Sequence, residues 1–175
     1  MSRFLARHLR HDPAALGVEL DRAGWAEVDD VLGGAARLGF PLTREEVEAA
    51  VDAPGKRRYE LDDTGRRIRA RHGHSVPVEL DLDPVAPPPV LFHGTHPAAL
   101  EAILARGLLP MRRRQVHLSE DVEAARQVGA RRGAPVVLRV DAAGLARAGA
   151  TFVHPAPGVW LTDAVPPPLL ARLKG

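Results

Sequence analysis

Between Val78 and Pro89 the sequence is acidic and proline-rich: Glu79, Asp81 and Asp83 lead into Pro84, Pro87, Pro88 and Pro89. Proline fixes φ and supplies no backbone donor, so neither a helix nor a central strand runs through such a stretch. The chain is therefore read as a segment 1–76, a connector 77–89 and a segment 90–175. A chain of 175 residues with 45% apolar composition can bury a real core, but it is short for two fully independent domains. Two small lobes sharing one cleft are expected.

The formal charge of +2 names no partner, but its distribution is uneven. Seven basic residues face three acids between Lys56 and Arg71, and Arg112, Arg113 and Arg114 form a second knot. Any single arginine reads first as solvated surface; two local clusters point to anion binding. The absence of cysteine excludes disulfides, thiol nucleophiles and cysteine-ligated zinc. There is no apolar run of about 20 residues and no signal-peptide h-region, so a cytoplasmic protein without membrane contact is expected.

In the first segment, Phe4, Leu5, His8 and Leu9 recur at helical spacing over residues 2–11, with Pro13 closing the helix. Gly24-Trp25-Ala26 reads as a short extended piece before a helix near Val28–Leu38, stopped by Gly39. Thr43 with Glu46 matches a capping box that opens a third helix through Val51. Arg58–Leu61 and Arg67–Arg69 flank the turn-forming Asp62–Gly65 as a β-hairpin. Three helices and a hairpin suggest a winged helix, a fold that does not by itself establish nucleic-acid binding.

The second segment alternates short strands and helices. Strands are expected at Val90–Phe92, Val116–Leu118, Val136–Val140, Phe152-Val153 and Val159–Leu161, with a helix at Ala98–Arg106 ended by Gly107. Ser119 is expected to cap a further helix with Glu120 and Asp121 in its first turn. The class is α+β.

Several residues suit anion or nucleotide chemistry. Arg10-His11 pairs a permanently charged fork with a titratable imidazole, a combination that grips a phosphate dianion, although cations at a helix C-terminus also offset its dipole. His93-Gly94-Thr95 follows a buried strand, where the histidine emerges at a strand end and Gly94 leaves room for a ligand. His117 lies on a neighbouring strand, with Ser119 at the strand-to-helix junction; alone, His117 reads as a satisfied core histidine. Arg58 is odd for a strand facing a core, and Arg113 precedes the His117 strand. His8 with His11, or His72 with His74, lacks a third ligand at metal-binding spacing, so no metal is expected.

Ser2–Leu5 and Leu9–Pro13 resemble the opening motif of the RNA 2′-phosphotransferase family, called KptA in bacteria. The match continues in family order through Arg58–Leu61, Ile68–Arg71 with Gly73–Ser75, Leu91–Thr95 and Val116–Ser119. It is completed by Val128-Gly129 with Arg131–Gly133, Pro135–Leu138 and Gly158–Leu161, covering essentially the whole chain. The resemblance implies a winged-helix-like N-terminal lobe that binds RNA phosphate. It implies a C-terminal lobe with the split β-sheet of ADP-ribosyltransferases that holds NAD. The family's essential Arg-His-Arg-Arg set falls on Arg10, His11, Arg58 and Arg113; the run 112–114 leaves the last open by one position, and Gln115 stands where the family usually has histidine. His93, Gly94, Thr95, His117, Ser119, Arg131 and Arg132 are implicated in NAD binding, and Arg69, Arg71, His74 and Ser75 in contacts to RNA.

The implied activity is NAD-dependent removal of an internal RNA 2′-phosphate, as in tRNA splicing and RNA processing, by a monomeric enzyme that uses NAD as co-substrate. A 2′-phosphate oxygen displaces nicotinamide, giving 2′-phospho-ADP-ribosylated RNA. The ribose 2″-hydroxyl then attacks that phosphate, releasing RNA with a free 2′-hydroxyl and ADP-ribose 1″,2″-cyclic phosphate. The late strand Val159–Leu161 lacks the glutamate that many ADP-ribosyltransferases use; a phosphate that is already anionic needs positioning and charge screening more than a base. One alternative is a one-step ADP-ribosyltransferase acting on nucleic-acid ends, a protein or a small molecule, which would not need the Arg-His-Arg-Arg set. Another is a non-enzymatic winged-helix nucleic-acid-binding protein; the glutamates at 45, 46 and 48 on its would-be recognition helix argue against it.

Overall fold

No helix or strand forms between residues 77 and 88 in the computed structural model, which describes residues 1–54, 57–111 and 113–173. Contacts divide the chain within that stretch, into Met1–Asp81 and Leu82–Gly175.

In the first unit, helix α1 (Ser2–Arg10) buries Leu5, His8 and Leu9, the face its apolar spacing predicts. Pro13 does not close the chain's helical run as expected; it opens the short α2 (Pro13–Leu16), whose N-cap Asp12 accepts from the Ala15 N–H. Proline suits a first helical turn because its missing donor would be unpaired there anyway. Strand β1 (Trp25–Glu27) leads into α3 (Val28–Arg37), and α4 (Arg44–Asp52) starts at the expected capping box. The Glu46 N–H donates to Thr43 Oγ1 at 3.2 Å while the Thr43 N–H donates to Glu46 Oε2 at 2.9 Å. Strands β2 (Tyr59–Leu61) and β3 (Arg67–Ala70) form the hairpin, and β1 joins them in an antiparallel sheet of order β1-β3-β2. Leu5, Leu9, Val28, Val31, Val47, Tyr59 and Ile68 make up the core.

The second unit is built on β4 (Val90–Thr95), α5 (Pro97–Arg106), β5 (Val116–Ser119), α6 (Val122–Gly129), β6 (Val136–Asp141), α7 (Ala142–Arg147), β7 (Val153–Ala156), β8 (Val159–Thr162) and β9 (Leu170–Arg172). The strands form one antiparallel sheet of order β7-β8-β5-β4-β6-β9. β4 pairs with β6 along its whole length but meets β5 at one register pair, Phe92 with Ser119. The sheet thus consists of two three-stranded halves joined at that pair. Leu91, Leu118, Leu138, Val140, Leu145, Phe152 and Trp160 fill the core. Two antiparallel sheets with helices against them agree with the α+β class. Ser119 ends β5 and does not cap α6; Asp121 does, accepting from the Ala124 N–H at 2.6 Å. A carboxylate two residues further on takes the position because its side chain reaches forward to the third helical N–H.

Among the described residues no helix is long and apolar enough to cross a membrane.

Candidate active site

In the first unit, four of the expected site residues meet at the C-terminal end of α1. The chain leaves the helix at His11, whose backbone is already non-helical at φ −128° and ψ −31°. The Arg10 guanidinium donates to the Arg58 carbonyl at 3.5 Å and lies 5.9 Å from the centre of the Tyr59 ring. Arg58 in turn donates to the Ser2 hydroxyl at 3.4 Å, and the Tyr59 hydroxyl donates to the Ser2 carbonyl. The start of β2 is therefore docked along α1, which brings Arg58 to Arg10 across 48 positions of sequence. From the other side the Ser75 N–H donates to the Arg10 carbonyl at 2.8 Å, and Ser75 Oγ stands 3.0 Å from His11 Nδ1. Arg10 is half-buried; His11, Arg58 and Ser75 are exposed.

Arg69, Arg71 and His74 are held differently. Arg69 pairs with Glu60, donates to the Ala23 carbonyl at 3.3 Å and lies over the Trp25 ring at 4.4 Å. Arg71 shares Glu60 at 2.8 Å. One carboxylate thus offsets part of the charge of two arginines, and Arg69 is locked into the sheet. His74 is 3% exposed and packs beneath Gly24. Ser2, Tyr59 and Glu60 are contributors that residue-type reasoning missed. Glu60 faces Arg69 in the β2–β3 register, so knowing the hairpin register would have paired them.

In the second unit, the expected cofactor residues lie where the two sheet halves join. Continuing the β4–β5 register would bring Gly94 opposite His117. Instead, the His117 carbonyl meets His93 Nδ1 at 3.0 Å. A carbonyl only accepts, so Nδ1 carries the hydrogen and Nε2 of the neutral ring is the acceptor. Burial holds the His93 pKa below its usual 6.5 despite the opposing bond to the His117 carbonyl, and the charge of Arg113 lowers it further. Among the described residues of the arginine run, the charge that acts on His93 is that of Arg113; Arg113 and Arg114 are both exposed, and Arg112 lies outside the described residues. The His117 ring donates from Nδ1 to the Gln115 carbonyl at 3.1 Å, and the Gln115 amide donates to Asp163 at 3.4 Å.

His93, Gly94 and Thr95 lie inside β4, which runs three residues further than the sequence suggests. The space a side chain at Gly94 would need is taken by α6. A Cβ there would stand 1.7 Å from the Ala125 carbonyl oxygen, and one on Gly129 would stand 2.5 Å from that of Thr95. Two glycines let α6 close directly onto β4. Thr95 is buried and Ser119 half-buried, while Arg131 is exposed on a turn of 3-10 helix; the Arg132 side chain lies outside what the structure describes. Among the described residues no group of three or more histidine or carboxylate side chains is gathered as a metal ion requires.

A family model described as RNA 2′-phosphotransferase, Tpt1/KptA family, matches residues 1–164. A protein of Nostoc punctiforme named "Probable RNA 2′-phosphotransferase" is 45% identical over 173 residues, covering 99% of this chain and 96% of that protein. Proteins of the same name from Streptomyces coelicolor and Agrobacterium fabrum are each 51% identical, over 166 and 165 residues. They align with 95% and 94% of this chain and with 90% and 89% of their own lengths.

Proposed function

The chain belongs to the RNA 2′-phosphotransferase, Tpt1/KptA family, and from that membership we propose that it removes an internal RNA 2′-phosphate by passing it to the ADP-ribose of NAD. The observation that carries the reading is the convergence of Arg10, His11 and Arg58 at the end of α1. Two guanidinium forks beside an imidazole suit a phosphate dianion, and among the described residues no carboxylate pairs with Arg58. Arg10 and Arg58 stabilise the charge on the phosphate during transesterification, and Arg113 is assigned to the same essential set by family membership alone. His11 moves the proton. Ser75 belongs to the same cluster, and Arg69, Arg71 and His74 are assigned with it to contacts with RNA, Arg69 and Arg71 being held in place by Glu60.

NAD is assigned to the second unit, to His93, Thr95, His117 and Ser119, with Arg131 and Arg132 toward its phosphates. The neutral His93 ring supports this assignment, because Nε2 offers an acceptor to an amide or a ribose hydroxyl. Gly94 serves by letting α6 close on β4. The two sheet halves joined at one pair support an ADP-ribosyltransferase-like lobe, and helices α1, α3 and α4 followed by the β2–β3 hairpin support a winged-helix-like one.

The reading is tested by incubating the pure protein with a short RNA bearing an internal 2′-phosphate, with and without NAD, and weighing the RNA. Loss of one phosphate only when NAD is present is expected. A stable ADP-ribosylated RNA would point to one-step transfer, and unchanged RNA with intact NAD would refute the activity.

A further inference from the structure

The loop that follows β3 is stitched to the last turn of α1 at one atom, the carbonyl oxygen of Arg10. That oxygen accepts from the Ser75 N–H at 2.8 Å and the Val76 N–H at 3.4 Å, and Ser75 Oγ lies 3.5 Å from it. Terminal helix carbonyls have no partner within the helix, so the loop caps α1 at the residue before His11. Ser75 Oγ also stands 3.0 Å from His11 Nδ1. A serine hydroxyl has one hydrogen, and a carbonyl has none to give. With the Ser75 hydrogen directed to Arg10, Oγ presents a lone pair to His11, and His11 Nδ1 must carry the hydrogen between them.

We propose that Ser75 is a positioning residue for phosphate transfer, holding His11 in its Nδ1–H tautomer so that Nε2 is the ring atom that exchanges a proton with the substrate. The inference rests on the function proposed above and assigns Ser75 to His11, not to the RNA. Closing the cyclic phosphate forms the bond from phosphorus to the 2″-oxygen and breaks the bond to the RNA 2′-oxygen. One proton passes from the 2″-hydroxyl to the departing 2′-oxygen. With Nδ1 retaining its hydrogen toward Ser75, Nε2 takes up and releases that proton while the ring keeps its orientation. Because Ser75 and His11 are both referenced to the Arg10 carbonyl, the imidazole and the Arg10 guanidinium share one frame. Serine is a neutral acceptor, so its orienting effect is smaller than that of the carboxylate that orients the histidine of a serine protease.

The test combines nitrogen-15 spectra of the His11 imidazole in the free protein, at a pH where the ring is neutral, with turnover of a 2′-phosphorylated RNA. The wild type should show protonated Nδ1 and a lone pair on Nε2. Ser75→Ala should lose that bias and about tenfold in kcat with KM little changed, and Ser75→Thr, which keeps the hydroxyl, should restore both. A wild-type ring protonated at Nε2, or an alanine variant with tautomer and kcat unaltered, would overturn the proposal. The wild-type spectrum needs no variant to fold. It also separates the two readings, since a protein inactive on RNA would refute the function while the tautomer still decides the role of Ser75.

Discussion

Arg58 lies immediately before β2 with the Ser2 hydroxyl as acceptor for its side chain, and Arg10 reaches its backbone. The function proposed above assigns this guanidinium to the phosphate. Arg58→Ala is therefore expected to leave the melting temperature nearly unchanged while lowering kcat by roughly a hundredfold, read from turnover of a 2′-phosphorylated RNA. His93 makes a complementary electrostatic prediction. Burial is the main reason its pKa is lowered, and the Arg113 charge adds to it. Arg113→Gln should raise the His93 pKa without returning it to 6.5, which proton NMR titration of the ring would follow. Because the folded pKa is the depressed one, the unfolded chain binds the proton first as pH falls. The contribution of His93 to stability is thus complete above about 6.5 and is lost on acidification from there toward the folded value.

At the scale of elements, the β2–β3 turn and the α6–β4 contact carry the clearest consequences. Asp62 accepts above all from the backbone N–H of Arg67, and further from the Arg67 side chain, the Thr64 hydroxyl and the Arg66 N–H, which together hold its pKa at about 2 against the usual 3.8. A depressed carboxylate stabilises the fold above its unfolded pKa, so this contribution should vanish between pH 3.8 and about 2. Asp62→Asn should flatten that part of the acid-unfolding curve. Gly94→Ala has no space under α6 and should cost about 1–3 kcal/mol in chemical denaturation. Both follow from structure, but only the first was legible in the sequence, where Asp-Asp-Thr-Gly between two strand-like runs already marked a turn. The role of Gly94 in packing is not legible, because nothing local to it reveals that α6 crosses β4 there. Pro13 was read as a stop and proved to be a first-turn residue, since proline is compatible with both and the αL Gly17 that ends α2 is the deciding signal. β9 and α7 escaped notice because three residues after a proline cluster, and six dominated by alanine and glycine, carry no periodicity. The capping box at Thr43 and Glu46 was legible because it is closed within four residues.

At the scale of the whole chain, each unit has its own hydrophobic core, while the residues assigned to the reaction are divided between them. Arg10, His11, Arg58 and Ser75 belong to Met1–Asp81, and His93, Arg113, His117 and Ser119 to Leu82–Gly175. Fragments 1–81 and 82–175 should therefore each give a cooperative thermal transition, as calorimetry would detect, yet neither alone should turn over the RNA. The grouping of Arg10, His11 and Arg58 is legible through the family resemblance; the place of Ser75 beside them is not, because it reaches Arg10 and His11 only through the packing of a loop on the end of α1. The central claim is that the phosphate goes to ADP-ribose. It is tested most directly by placing a radiolabel on the RNA 2′-phosphate and finding where the label travels after incubation with the protein and NAD. The account predicts label in ADP-ribose 1″,2″-cyclic phosphate, with unlabelled RNA left behind. Label released as inorganic phosphate, or retained on RNA as an ADP-ribosylated adduct, would contradict it.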